Sequence, residues 1–288
     1  MYDTVEFKLN RFDCNGVSFL EETPCYINDV SEHHYSNGNV VCGSLENLRV
    51  SCNEYQVKVK DGSLCKWYLG DNLQTMHRKD VKLAIEKLSD TLHLPMDKAQ
   101  VTRLDVSQNF VMKCPPSVYF NHLGALKSAT RLQEPNGLYY RARDGCLCFY
   151  DKAKEQKAKE QKANKEPLPE VYEGRNLLRY EQRYEKRLAK HLEVPEVRAT
   201  LLYDEAFKYY EIAINGVILL FRQNSKRPDG QRLYYLNDNL ALLLGFGNLF
   251  SMMLAFPKIR YWRGFISVQS LRKQMAKGSS FIQDDVKW

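Results

Sequence analysis

Apolar and polar positions alternate along residues 48–59, where Leu48, Val50 and Cys52 and then Tyr55, Val57 and Val59 recur with a period of two. That period puts successive side chains on opposite faces and predicts a strand. Asp61-Gly62 is a hairpin signal, so Ser63–Tyr68 reads as the returning strand. Val81, Ala84, Ile85, Leu88 and Leu92 recur at helical spacing instead, and Pro95 limits the helix they predict. Over Val101–Val111 the alternation returns. Leu104, Val106 and Phe110 mark one face, and Arg103, Asp105, Ser107 and Asn109 the other. A short helix near Pro116, a strand near Asp144–Tyr150 and a strand at Leu177–Tyr184 follow, with a helical pattern from about Lys186.

Residues 153–162 repeat Ala-Lys-Glu-Gln-Lys in tandem, with Glu155 and Lys159 at i,i+4 spacing, and predict an exposed helix with a solvated surface. Beyond residue 200 the pattern is mainly helical. Leu240–Phe256 is apolar but interrupted by Gly245, Gly247, Asn248 and Ser251, and it reads as a buried core helix rather than a membrane span. No acidic residue occurs between Asp238 and Asp284, whereas Lys258, Arg260, Arg263, Arg272, Lys273 and Lys277 do. Tyr261, Trp262 and Phe265 interleave with these cations. That mixture suits phosphate contact with base stacking, and equally an ordinary helix surface over a buried aromatic edge.

Composition narrows the picture. The 288 residues are 44% hydrophobic, enough to bury a sizeable core, which excludes disorder for most of the chain. The formal net charge of +7 favours nucleic acid among acidic partners. Met1–Glu6 shows neither a basic nor an apolar targeting segment, and eight cysteines are too sparse for a disulfide scaffold, so reduced thiols in a cytoplasm are expected. There is no Gly-x4-Gly-Lys-Ser/Thr loop for nucleotide hydrolysis and no paired Cys-x2-Cys spacing for structural zinc. The neighbours His33 and His34 read as a loop pair, and no cysteine has a recognisable base beside it.

Three short strands carry more chemistry. Arg103-Leu104-Asp105 sets a cation and a carboxylate on one polar face; Arg179, Glu181 and Arg183 share another. In Cys148-Phe149-Tyr150-Asp151-Lys152, Tyr150 and Lys152 share a side if the strand persists. Each strand alone reads as a solvated face with ion pairs. Combined on one sheet, they suit phosphoryl transfer: carboxylates for a hard cation, arginines for phosphate oxygens and a phenol as nucleophile.

At these residues the sequence resembles rolling-circle replication initiators, in particular the phage and plasmid family typified by the filamentous-phage gene II protein. Thr102–Val106, Cys148–Lys152 and Leu178–Arg183 are similar to its three signature segments, and Leu69-Gly70-Asp71-Asn72 to its Gly-x-Asn element. The staphylococcal plasmid initiators are similar in the second and third segments. The resemblance spans roughly residues 48–210. It implies that Tyr150 is the nicking nucleophile and Lys152 its electrostatic partner. It implies further that Asp105 and Glu181 bind Mg²⁺ or Mn²⁺ or support the site, and that Arg103, Arg179 and Arg183 lie near the DNA phosphate. The His-hydrophobe-His pair of related nucleases is missing, and Leu64-Cys65-Lys66 stands where some relatives have a further acid, so a third metal ligand is open.

The expectation is therefore an α+β protein: an antiparallel-sheet nuclease domain over residues 1–200 and a helical region over 201–288, with DNA contact at Lys258, Arg260, Trp262 and Arg263. Its expected activity is origin nicking through a 5′-phosphotyrosine, in a bacterial cytoplasm and without a membrane. Host helicase and polymerase would be its partners. A mobilisation relaxase or transposase with the same chemistry, or a non-cutting DNA-binding regulator, is the alternative. The origin sequence, the oligomeric state and a role for Tyr139 or Tyr140 as a second tyrosine stay open.

Overall fold

The computed structural model describes residues 2–204 and 207, apart from 15–17, 37, 74–75, 113, 121–122, 124–125, 127–128 and 164–171. The basic segment with Lys258, Arg260, Trp262 and Arg263 and the apolar run Leu240–Phe256 lie outside the described residues. The architecture is α+β. Ten strands form one sheet: β1 (Tyr2–Asn10), β2 (Asn28–Tyr35), β3 (Gly38–Leu45), β4 (Leu48–Cys52), β5 (Gln56–Lys60), β6 (Gln100–Met112), β7 (Thr130–Glu134), β8 (Gly137–Arg141), β9 (Gly145–Asp151) and β10 (Asn176–Tyr184). Their spatial order is β2-β3-β4-β5-β1-β6-β10-β9-β8-β7, and every pairing is antiparallel. Each half thus has one leading strand, β1 or β6, and a four-strand meander that returns beside it. The halves join through the β1–β6 pair.

Residues 48–59 are two strands rather than one. Asn53 turns the chain, its side-chain oxygen accepting from the N–H groups of Tyr55 at 2.9 Å and Gln56 at 3.0 Å, a local bond that offers the backbone an alternative to the ladder. Ser63–Tyr68 is not a strand either. Leu64–Leu69 forms a helix, because the Ser63 hydroxyl accepts the Lys66 N–H at 3.0 Å and caps its start. Asp61, at φ 58°, turns the chain toward it.

Among the described residues the other α-helices are Phe19–Glu22, Arg78–Leu92, Pro116–Phe120, Lys152–Ala163 and Leu188–His191, which with Leu64–Leu69 are numbered α1 to α6 in chain order. Helix α3 (Arg78–Leu92) is the one expected from Val81, Ala84, Ile85, Leu88 and Leu92, all buried. Its first turn is held by reciprocal bonds between His77 and Asp80, and His93 ends it in the left-handed region at φ 51°, two residues before Pro95. Its apolar stripe belongs to one core cluster with Val5, Phe7 and Leu9 of β1 and Leu104 and Val106 of β6. The opposite face of the central strands is left for polar groups. His33 and His34 lie on β2, whose residues are all exposed, and not in a loop. Among the described residues no helix is long and apolar enough to cross a membrane.

Candidate functional site

Antiparallel register turns the polar positions of β6, β10, β9 and β8 into a grid on one face. One row reads Asp105, Arg183, Cys146, Arg141; the next Ser107, Glu181, Cys148, Tyr139; the third Asn109, Arg179, Tyr150, Gly137. Each row crosses four neighbouring strands, and successive rows are two residues apart along each strand, so all these side chains leave the same side of the sheet. Three segments far apart in sequence therefore converge. The Tyr150 hydroxyl donates to Glu181 Oε2 at 3.0 Å, diagonally from the third row to the second.

Arginines hold the acids of this grid. Arg103 makes a two-pronged contact with Asp105, Nε to Oδ1 at 3.0 Å and Nη2 to Oδ2 at 2.8 Å, and stands 3.6 Å from Glu6. Arg183 donates to both oxygens of Glu181, at 3.2 and 3.3 Å. Arg179 is fully buried. It donates to Asp3 Oδ2 at 2.5 Å, Ser107 Oγ at 2.8 Å, the Asn72 carbonyl at 2.9 Å and Asn109 Oδ1 at 3.2 Å. Asp3 also accepts from Ser63 and from Asn72 Nδ2.

The family model for the N-terminal part of the replication-associated gene II protein matches residues 1–206. The chain belongs to the phage rolling-circle replication initiators. No curated protein and no solved structure matches it. Membership makes the protein a replication initiator, and the sheet face above carries Asp105, Tyr150, Arg179, Glu181 and Arg183 together.

The initiator departs from the sequence reading at Lys152. The strand does not persist through it: Asp151 ends β9, and its carboxylate accepts the Lys154 N–H at 3.0 Å, capping α5 (Lys152–Ala163). Lys152 is therefore the first residue of a helix, 1% exposed, with Nζ 2.8 Å from Glu155 Oε2. It lies within electrostatic reach of Asp3. Arg179 departs as well. With no solvent exposure and its guanidinium committed to four partners, it positions strands in this arrangement, whereas the side chains of Arg103 and Arg183 are 25% and 30% exposed.

Asp3 is the residue that sequence reasoning missed. Met1–Glu6 drew attention only for lacking a targeting signal, yet Asp3 is 6% exposed and pairs with the buried arginine. The Gly-x-Asn element has a mechanical basis here. Gly70, at φ 88°, ends α2 (Leu64–Leu69) in a backbone conformation that L side chains rarely adopt, and Asn72 is thereby delivered to Asp3 and Arg179. The two tyrosines left open also separate. Tyr140 is 1% exposed in register with Leu147 on the apolar side, whereas half-buried Tyr139 faces the site.

Electrostatics follow from burial and partners. Burial pushes the Asp105 carboxyl up to about 7 despite Arg103, with the Glu181 charge adding to the rise. Burial alone would raise Asp3, but Arg179, helped by Ser63, Lys152 and Asn72, holds it below its ordinary value. Burial, with the negative charges of Glu181, Asp3 and Glu155, holds the Tyr150 phenol well above its ordinary 10.0 against the pull of Arg179. Asp105 and Glu181 supply hard oxygen donors, but each of those oxygens already accepts a hydrogen bond. Among the described residues no group of three His, Cys, Asp or Glu stands together as a metal cradle. As arranged, the carboxylates do not fit a divalent cation without giving up these bonds.

Two predictions test this electrostatic frame. Arg179→Met leaves Asp3 buried without its partner and should cost about 3–5 kcal/mol in urea unfolding, of which Asp3→Asn in the same chain restores a part. A loss under about 1 kcal/mol would show the pair to be dispensable. Because folding raises the Asp105 value from 3.8 to about 7, its contribution to stability is fully present below about pH 4 and is lost as pH rises through 7. The stability of the wild type relative to Asp105→Asn should therefore fall between pH 4 and pH 8; a difference independent of pH would contradict the raised value.

Proposed function

We propose that the initiator opens one strand of origin DNA by attack of the Tyr150 phenol on a phosphodiester. The observation that carries this reading is the 3.0 Å hydrogen bond from the Tyr150 hydroxyl to Glu181 on an arginine-lined sheet face. A phenol held well above pH 10 stays protonated in the resting protein, so its attack needs a proton acceptor in place, and Glu181 is that group. As the phenolic oxygen bonds to phosphorus, its proton passes to the Glu181 carboxylate and the bond from phosphorus to the 3′ oxygen breaks. The departing oxygen takes a proton from water. The products are a 5′-phosphotyrosine and a free 3′-OH for a host polymerase to extend, with a host helicase opening the duplex.

Arg103 and Arg183 suit the phosphate because a guanidinium binds phosphate in the same two-pronged geometry as a carboxylate. An arriving phosphate competes for them with Asp105 and Glu181. Lys152, at the start of α5, pairs with Glu155 and adds its positive charge to the surroundings of Asp3. The reverse reaction, attack of a 3′-OH on the phosphotyrosine, would close a circle after one round of synthesis. An arriving phosphate that took Arg103 would free Asp105, and that carboxylate would then be the one to hold a Mg²⁺ or Mn²⁺, which would neutralise charge gained by the phosphoryl group.

The experiment is a nicking assay on supercoiled DNA carrying the element's own origin. Tyr150→Phe should abolish the covalent protein–DNA adduct while the protein stays folded, and Glu181→Gln should slow adduct formation by about 100-fold or more. A full-strength adduct from Tyr150→Phe would overturn the assignment. Nicking should stop in EDTA and return with added Mg²⁺ or Mn²⁺; undiminished nicking in EDTA would remove the cation from the reaction.

A further inference from the structure

On β8 (Gly137–Arg141) the site face carries Gly137, Tyr139 and Arg141, beside the strand that holds Tyr150. Tyr139 is neither core nor free-standing: it is half-buried, and its ring leans back along its own strand. A Cβ added to Gly137 would meet Tyr139 Cε2 and its hydroxyl at 2.8 Å and Cζ at 3.0 Å, closer than such contacts occur. The ring edge therefore occupies the space that a side chain at 137 would fill, and Gly137 is the register partner of Tyr150. On the outer side Tyr139 pairs with Leu132, 42% exposed. Arg141, exposed, follows on the same face in the row of Arg183, while Glu134 lies at the opposite end of the patch, in register with Gly137. An aromatic ring and an exposed leucine with cations at one end and an acid at the other form a surface for a flat apolar group that carries a negative charge on one side.

We infer that Tyr139, whose ring edge lies in the space left by the missing side chain of Gly137, is a platform for a nucleobase of single-stranded DNA next to the scissile phosphate, with Leu132 extending it and Arg141 facing the adjoining phosphate. The inference rests on the nicking reading, because it takes the strand attacked by Tyr150 as the occupant. Stacking against an aromatic ring tolerates any base and requires it to be unpaired. The platform therefore selects a melted segment rather than a sequence, and it supplies binding energy one strand away from the reacting phenol.

The test measures binding of the full chain to a fluorescein-labelled, mixed-sequence, single-stranded 12-mer by anisotropy, beside the adduct assay. Tyr139→Phe should bind within about twofold of wild type, and Tyr139→Leu about tenfold more weakly, the effect of losing one stacked base. Gly137→Ala should also weaken binding, because the new methyl group displaces the ring edge. In the Tyr139→Leu background the same change should have no further effect. Thermal melts check that each variant is folded. Wild-type affinity in Tyr139→Leu, with the adduct still forming, would overturn the platform and leave the nicking reading standing. A wild-type chain that binds no 12-mer and forms no adduct would overturn the nicking reading itself.

Discussion

Burying the Arg179 guanidinium costs several kcal/mol of hydration unless a carboxylate and further acceptors replace the lost water. That requirement ties together four parts of the chain. Asp3 from β1, Ser107 and Asn109 from β6 and Asn72 from the turn after α2 all meet the side chain from β10. None of these partners is close in sequence, so the network forms only when the central strands are in register. A one-residue slip of β10 would send Arg179 to the apolar side and leave Asp3 without its cation. The ion pair thus serves specificity of register, and the rows of the site depend on that register.

The same guanidinium–carboxylate pairing recurs outward from Arg179, in reach of solvent. Arg179 is shut in, whereas Arg183 and Arg103 are partly open. Arg103 and Arg183 each hold a carboxylate in the resting protein, and in the proposed reaction a phosphate enters as one more anion for them. Exchange of one oxyanion for another at a guanidinium conserves charge-assisted hydrogen bonds. The carboxylate it releases is then available to other groups. This coupling makes Glu181 both a resting counter-ion and the neighbour of the phenol, two roles compatible with one position because Oε1 accepts from Arg183 while Oε2 accepts from Arg183 and from the Tyr150 hydroxyl together.

Legibility in the sequence tracked regularity. Strands β6 and β10 alternate cleanly, so the common face of Asp105 with Ser107, and of Arg179 with Glu181 and Arg183, was readable from a period of two. Register between strands was not readable, and it alone decides that Tyr150 reaches Glu181 rather than solvent. Lys152 was misplaced because the strand-to-helix switch depends on the Asp151 side chain bonding to Lys154 N–H, a local competition that alternation does not display. Ser63–Tyr68 misled for a related reason. Leu64, Cys65 and Trp67 are buried in a helix of under two turns, too short for helical spacing to stand out from β-like composition. Strand β2, exposed on all its residues, has no hydrophobic pattern to find.

Asp3 escaped notice for a reason that belongs to its function. Tyr2 pairs with Val106 and Val5 with Leu104, leaving two residues between them on β1 against one on β6, so the strand bulges by one residue there. Both Tyr2 and Val5 stay in the core, and a strict period of two is broken between them. The extra residue increases the local twist and re-aims the side chains within the bulge. Asp3 lies inside it, with its carboxylate against Arg179 and Ser63. The sheet's first half thereby supplies, from its leading strand, the negative charge that the second half's buried arginine requires. A regular β1 would be easy to recognise from its alternation, but it would lack the residue of slack that lets two apolar anchors and one buried acid occupy the same short segment.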